Sequence, residues 1–259
     1  MTRPSNTPWG WALAGVLAGL LLTVLLQAPA RWFTPLLQTA SGGRFVLHDA
    51  RGTFWQGSAQ LTLTGGAGSS DAATLPGRLA WTLAPGWSGL QADLLADCCM
   101  QHAWRLQFQP RWDGARLTLA DSLSQWPARA LSGLGTPWNT VQPEGLLALS
   151  TQGLAFDWTG GRLRVTGRAQ LDASQMSSRL STLKPMGSYR LTVQGGESAT
   201  LQLETLEGSL QLSGRGEWVG AKLRFDGVAS AAPERQDALA NLLNIIGRRD
   251  GDRAIIKVG

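Results

Sequence analysis

Hydrophobic and polar positions change rhythm once along this chain. From Trp9 to Leu26 they do not alternate at all: WGWALAGVLAGLLLTVLL is eighteen residues without a charge or a proline. A bilayer core of roughly 30 Å takes about 20 apolar helical residues, so the run is long enough to span one with little tilt. Its glycines are tolerable in lipid. Trp9 and Trp11 at one end, and Trp32 and Phe33 at the other, suit headgroup depth. The residues assigned to this membrane anchor are Trp9, Trp11, Leu13, Leu17, Leu20, Leu21, Leu22, Val24, Leu25 and Leu26. A permanent anchor is the favoured reading. A cleaved signal peptide competes, because Ala28-Pro29-Ala30 has small residues at peptidase spacing. Against it, the run exceeds the usual h-region of about 7–15 residues and only Arg3 precedes it. A buried core helix fits poorly, since the segment is apolar on every side. Charge leaves the orientation open, with Arg3 on one side and Arg31, Arg44 and Arg51 on the other.

Beyond Pro35 the pattern alternates. Phe45 to Leu47, Ala59 to Leu63, Gly77 to Leu83, Trp104 to Phe108 and Ala115 to Leu119 place apolar residues at every second position, as half-buried strands do. Leu90 to Leu95 is a weaker strand. Pro85-Gly86, Pro110 and Asp113-Gly114 punctuate them, and Asp-Gly is a tight-turn signal. From Ser122 to Gly135 the period lengthens. Leu123, Trp126, Ala130, Leu131 and Leu134 predict a short amphipathic helix that starts near Pro127. Thr136 to Gly145 reads as a loop. Strands resume at Gly145–Ser150, Leu154–Trp158, Gly161–Ala169 and Met176–Leu180. They continue at Tyr189–Val193, through Leu201, Leu203, Leu210, Leu212 and Trp218, and over Ala221–Phe225. A second helix is predicted over Pro233–Ile246, with Leu239, Leu242, Leu243 and Ile246 on one face, Pro233 at its first position and Gly247 at its end. A last strand, Ala254–Val258, closes the chain.

Composition agrees with many short strands: 32 Gly and 12 Trp, with only 16% charged residues. The net charge of +5 comes from scattered arginines, not from a dense cluster, which argues against a nucleic-acid binder. The two cysteines are adjacent, Cys98 and Cys99. They are a candidate disulfide, although neighbouring Cα atoms about 3.8 Å apart fall below the usual window for a bridge; free thiols or bonds to another chain are the alternatives.

No motif carries chemistry. GxSxG, HExxH and a phosphate loop are all absent. His48-Asp49 could begin a base and its orienting partner, yet no nucleophile can be named beside it. His102 alone is too little for a metal site. Arg248 to Asp252 lacks EF-hand spacing. We therefore expect neither catalytic residues, nor metal, nor cofactor, and no enzyme. Trp55, Trp81, Trp104 and Trp218 hold apolar positions of alternating strands and are read as core. Trp87, Trp112, Trp126 and Trp138 lie in loops or at element ends, and are the candidate partner surface.

Several patches together resemble the type II secretion system protein N family. They are the apolar run followed by Ala28-Pro29-Ala30-Arg31-Trp32, then Gly52-Thr53-Phe54-Trp55-Gln56-Gly57-Ser58-Ala59, then Gly77 to Trp81 with Pro85 and the adjacent cysteines. Leu183 to Arg190 and Asn241 to Arg249 follow. The resemblance covers nearly the whole chain; Phe54 stands where a small aliphatic residue is commoner. It implies a single-pass protein of a Gram-negative inner membrane with its bulk in the periplasm. It implies an accessory part of the machine that exports folded proteins across the outer membrane. Its partners would be inner-membrane platform proteins or the secretin, and no catalytic residues come with it.

The expected architecture is mainly β: an N-terminal single transmembrane helix, then an antiparallel, strongly curved sheet or sandwich with one or two short helices. Residues 1–27 would be cytoplasmic tail and anchor. Residues 28–259 would be the periplasmic β-rich domain, its two halves meeting near 122–145. A membrane-tethered module that binds or handles lipid is the alternative function.

Overall fold

The computed structural model of the chain describes residues 9–220 and 222–259. The tail expected over Met1–Pro8, and Ala221 of an expected strand, lie outside the described residues. The apolar run forms helix α1 (Trp9–Gln27), 19 residues with no acidic residue in its first turn and no basic one in its last. Its described side chains are exposed throughout. The side chain of Leu25, which we assigned to the anchor, is outside the described set. Among the described residues no helix is long and apolar enough to cross a membrane, so the described part leaves the expected span unmet. After a 3-10 turn over Ala30–Trp32, α2 (Thr34–Ala40) leads into the sheet.

The sheet is built almost entirely from consecutive hairpins, and every pair is antiparallel. The strands are β1 (Phe45–Gly52), β2 (Gln56–Thr64), β3 (Ala72–Thr74), β4 (Leu79–Gly86), β5 (Gly89–Ala96), β6 (Trp104–Arg111), β7 (Gly114–Leu119), β8 (Ser122–Pro127), β9 (Pro143–Thr159), β10 (Arg162–Ser178), β11 (Gly187–Gln194), β12 (Thr200–Gly208), β13 (Leu210–Val219), β14 (Lys222–Ala231), β15 (Arg248–Asp250) and β16 (Arg253–Val258). Their spatial order is β1-β2-β4-β5-β6-β7-β9-β10-β11-β12-β13-β14-β16-β15, with β3 beside β2 and β8 beside β9.

This corrects the sandwich and the strongly curved sheet. There is one open sixteen-stranded sheet, neither closed nor strongly curled. The reason is connectivity. Two-residue turns at Trp87-Ser88, Trp112-Asp113 and Gly160-Gly161 return each strand beside its predecessor, so no strand is carried across to a second layer. Gly160 and Gly161 both have positive φ, as a type I′ turn requires. The total accessible surface, 16440 Å², exceeds the roughly 11,000 Å² expected of a compact protein of this mass. The exposed helix and the single-layer sheet both contribute to the excess.

Two strands are longer than their sequence signals. β9 and β10 run 17 residues each because two irregularities absorb what looked like breaks. Gly153 and Gly167, both at positive φ, form the first, where the register shifts between Thr166 and Arg168. Gly145 and Gln175 mark the second, where it shifts between Ser174 and Ser177. The predicted helix from Ser122 is corrected too. Ser122–Pro127 is strand β8, paired with the lower half of β9, and only Ala128–Leu134 winds, as a 3-10 helix. A helix of one turn, α3 (Trp138–Val141), follows. The hydrogen-bonded ladder runs unbroken past residues 122–145, because β9 pairs with β7, β8 and β10 at once.

Paired residues share a face, and the registers sort the sheet into two unlike faces. One carries Leu47 and Leu61, then Trp81 and Leu94, Leu106 and Leu119, Leu117 and Phe156, Leu171 and Leu191, Leu212 and Ala229, and finally Gly227 and Ile256. No ladder-paired position on this face from β1 through β14 to β16 is ionised. The other face sets opposite charges across from one another: Asp93 and Arg105, Arg116 and Asp157, Asp172 and Arg190, Arg215 and Asp226, Asp226 and Lys257.

A helix covers one end of the apolar face. Helix α4 (Gln236–Ile246) follows a short 3-10 turn at Pro233–Arg235 and buries Leu239, Leu242 and Leu243 against Met186, Tyr189, Leu210, Ala229 and Ala254. The Ser181 hydroxyl donates to the Ala238 carbonyl at 2.9 Å, holding the β10–β11 connection against that helix. Gly247 ends α4 in extended backbone, not in the left-handed conformation a glycine cap usually adopts.

Candidate interaction surfaces

Within this frame the reactive side chains are few. His48 is exposed on β1, but Asp49 turns away from it. The Arg78 guanidinium donates to the Asp49 carboxylate at 2.8 Å and to its backbone carbonyl at 2.6 Å, and also reaches Ser58. Arg51 joins the same carboxylate at 2.7 Å. These two cations hold the Asp49 carboxyl below its ordinary value of 3.8, Arg78 first. The cluster pins the irregular end of β1 to β2 and β4; it orients no histidine. On the charged face Arg190 grips Asp172 at 2.7 and 2.9 Å and lowers its pKa, against the opposing effect of burial. Burial raises the Tyr189 phenol, whose oxygen has no hydrogen-bond partner among the described residues. Among the described residues no group of three or more His, Cys, Asp or Glu is placed to hold a metal ion. A shallow depression of about 570 Å³ lies across β12, β13, β14 and β16, floored partly by Val228 and Ile255.

The sulfurs of Cys98 and Cys99 are bonded, with their Cα atoms 3.7 Å apart. The pair sits in the turn after β5. Cys99 is buried with Ala96 and Met100, against Leu79, Leu95, Trp104 and Trp126.

That cluster also absorbs one of the four candidate surface tryptophans. Trp126 lies on β8, edge-on to Trp104 with ring centres 6.0 Å apart, and its indole N–H donates to the Ser124 hydroxyl at 2.8 Å. It belongs to the core of the sheet's lower end, an assignment its place beside Pro127 concealed. Trp138 opens α3 and is partly exposed. Trp87 and Trp112 are fully exposed, each at the tip of a two-residue hairpin turn. Trp55, Trp81, Trp104 and Trp218 are half-buried. Of these, Trp81 donates its N–H to the Phe54 carbonyl at 3.0 Å.

Two further features complete the picture. The first is the pair of open edges. β1 borders the sheet on one side. On the other, β15 pairs only with Arg253–Ile255 of β16, leaving that strand's upper half bordered by β14 alone. The second is the join between α1 and the sheet. Phe54 donates its N–H to the Ala28 carbonyl at 2.8 Å, Pro29 bridges to Thr53, and Phe33 stacks near Phe54 at 4.2 Å. The helix therefore meets the sheet at the β1–β2 turn.

Among known families, residues 44–256 match the one described as Type II secretion system (T2SS), protein N. No curated protein matches the chain, and no solved structure does.

Proposed function

We propose that this chain, which belongs to the type II secretion system protein N family, is an accessory component of that machine. In this reading α1 holds it in the inner membrane by a single pass, and the sheet lies in the periplasm. The family match over 44–256 carries the proposal. Three features support the placement. α1 is free of charge, its described side chains are exposed, and Cys98 and Cys99 are bonded, as suits an oxidising compartment. The chain works by contact, not by reaction. Its open edges, β1 and the upper half of β16, offer unpaired backbone to a strand of a platform protein or of the secretin.

The test is crosslinking in place. A photo-reactive residue at His48 or Lys257 of the full chain, in a Gram-negative cell that carries the cognate machine, is expected to capture a secretion component. Deleting the chain is expected to lower export of a secreted protein. Adducts that contain no secretion component, with export unchanged, would refute the reading.

A second reading is favoured by one observation: the uncharged face that continues from β1 to β16 with no second layer of strands over most of it. Such a face suits acyl chains, and the chain would then bind or handle lipid. Native mass spectrometry of the purified protein separates the two readings, since only the second expects co-purified lipid.

A further inference from the structure

We propose that the row of hairpin tips carrying Trp87 and Trp112 docks on the bilayer that holds α1, so that the sheet stands on the membrane by its turns. The inference rests on the anchor reading above and adds a second membrane contact to it. Four turns lie side by side along one end of the sheet: β1–β2, β4–β5, β6–β7 and β9–β10. The first is where α1 joins, through Ala28 and Thr53. The Trp55 carbonyl of that turn accepts from Leu83 N–H at 2.6 Å, which places it beside β4 about four residues, roughly 14 Å of strand, from Trp87. Trp112 lies two strand spacings further on, roughly 10 Å. The two indoles are therefore carried at the end of the sheet from which the apolar helix departs.

Both are fully exposed, although the same sheet half-buries Trp55, Trp81, Trp104 and Trp218. An indole left in water at a hairpin tip forfeits its apolar area, and the membrane interface is the surrounding that best suits its ring and N–H together. The tips are also braced. Gln107 of β6 donates to the Ser88 hydroxyl at 3.3 Å, tying the β4–β5 turn to the neighbouring strand, and Gly160 N–H donates to the Asp113 carbonyl at 3.2 Å, tying the β9–β10 turn to the β6–β7 turn. The occupant is thus the interfacial layer of a phospholipid bilayer. The tips themselves are close to neutral: Arg111 is drawn toward Asp157 at 3.3 Å, and Asp113 sits beside Trp112. Zwitterionic lipid therefore suffices.

The experiment uses the full chain in vesicles of phosphatidylethanolamine and phosphatidylglycerol, three to one. A nitroxide goes on Ser88→Cys at the tip, or on Asp237→Cys in α4 at the opposite end, with the native cysteine pair left oxidised. Power-saturation spectroscopy reads the accessibility of each label to oxygen against a water-soluble nickel chelate. The ratio at position 88 is expected to exceed that at 237 at least fivefold. In Trp87→Ala with Trp112→Ala it should fall to the value at 237, while the chain still floats with the vesicles. A chain that floats with equal ratios at both positions overturns the docking and leaves the anchor standing. A double variant that keeps the high ratio overturns the role of the two indoles. A chain that does not float at all overturns both.

Discussion

Phe225 stands where three glycines make room for it. Its ring lies over Gly214, Gly216 and Gly227, and a Cβ at Gly214 would fall within the van der Waals radius of the ring's outer edge. Gly214→Ala is therefore expected to destabilise the chain, and Phe225→Leu in the same chain to restore part of the loss. Phe225→Ala alone should cost about 3 kcal/mol, since it empties a filled site. Urea unfolding of the variants checks all of these. The ion pairs set a pH dependence. Asp49 and Asp172 both lie below their ordinary value of 3.8 in the folded chain. A lowered folded value means stability fully present above about pH 4 and lost as the pH falls from 3.8 through the lower, folded value. Asp172→Asn should flatten part of that acid limb, a change read by circular dichroism between pH 5 and pH 2. The half-buried aromatics of β4 and β6 could be read directly, because Trp81 and Trp104 alternate with polar neighbours. Trp126 could not: its inward partners on β8 are Ser122 and Ser124, small polar residues that hide the strand period.

Among the elements, α4 shows what a local pattern can specify. Leu239, Leu242 and Leu243 recur at helical spacing and all three are buried, so the helix was legible in the sequence. Leu242→Ala should cost about 3 kcal/mol and expose the capped end of the sheet, measured by urea unfolding with a hydrophobic dye as reporter. β8 shows the converse. Leu123, Trp126, Ala130 and Leu131 have helical spacing, yet the segment pairs with β9, whose edge is open at that level because β7 ends at Leu119. A partner 19 to 29 residues away decides the outcome, and spacing within the segment cannot reveal it. The bonded cysteines behave similarly, since neighbour spacing argued against the bridge. With no residue between them, they restrict the unfolded chain little. Reducing them should lower stability by about 1 kcal/mol or less, in a melt with and without reductant.

For the whole molecule, hydrogen exchange should follow the ladder. Amides of β9 and β10, the longest pair and internal to the sheet, are expected to exchange slowest. Those of β1 and β15 at the borders should exchange fastest, as mass spectrometry of exchanged peptides would report. The alternation told that strands exist and which side chains share a face, but not how many layers they make. A sandwich and a single sheet share the same period of two; only the turns, which return every strand to its neighbour, choose between them.

Because each hairpin leans mainly on the two beside it, the number of hairpins is not fixed by any closure condition. A strand pair inserted between β11 and β12 would meet the same kind of neighbours on both sides. It would lengthen the uncharged strip by roughly 10 Å without disturbing either border. The architecture behaves like a ruler whose span can be altered by whole divisions.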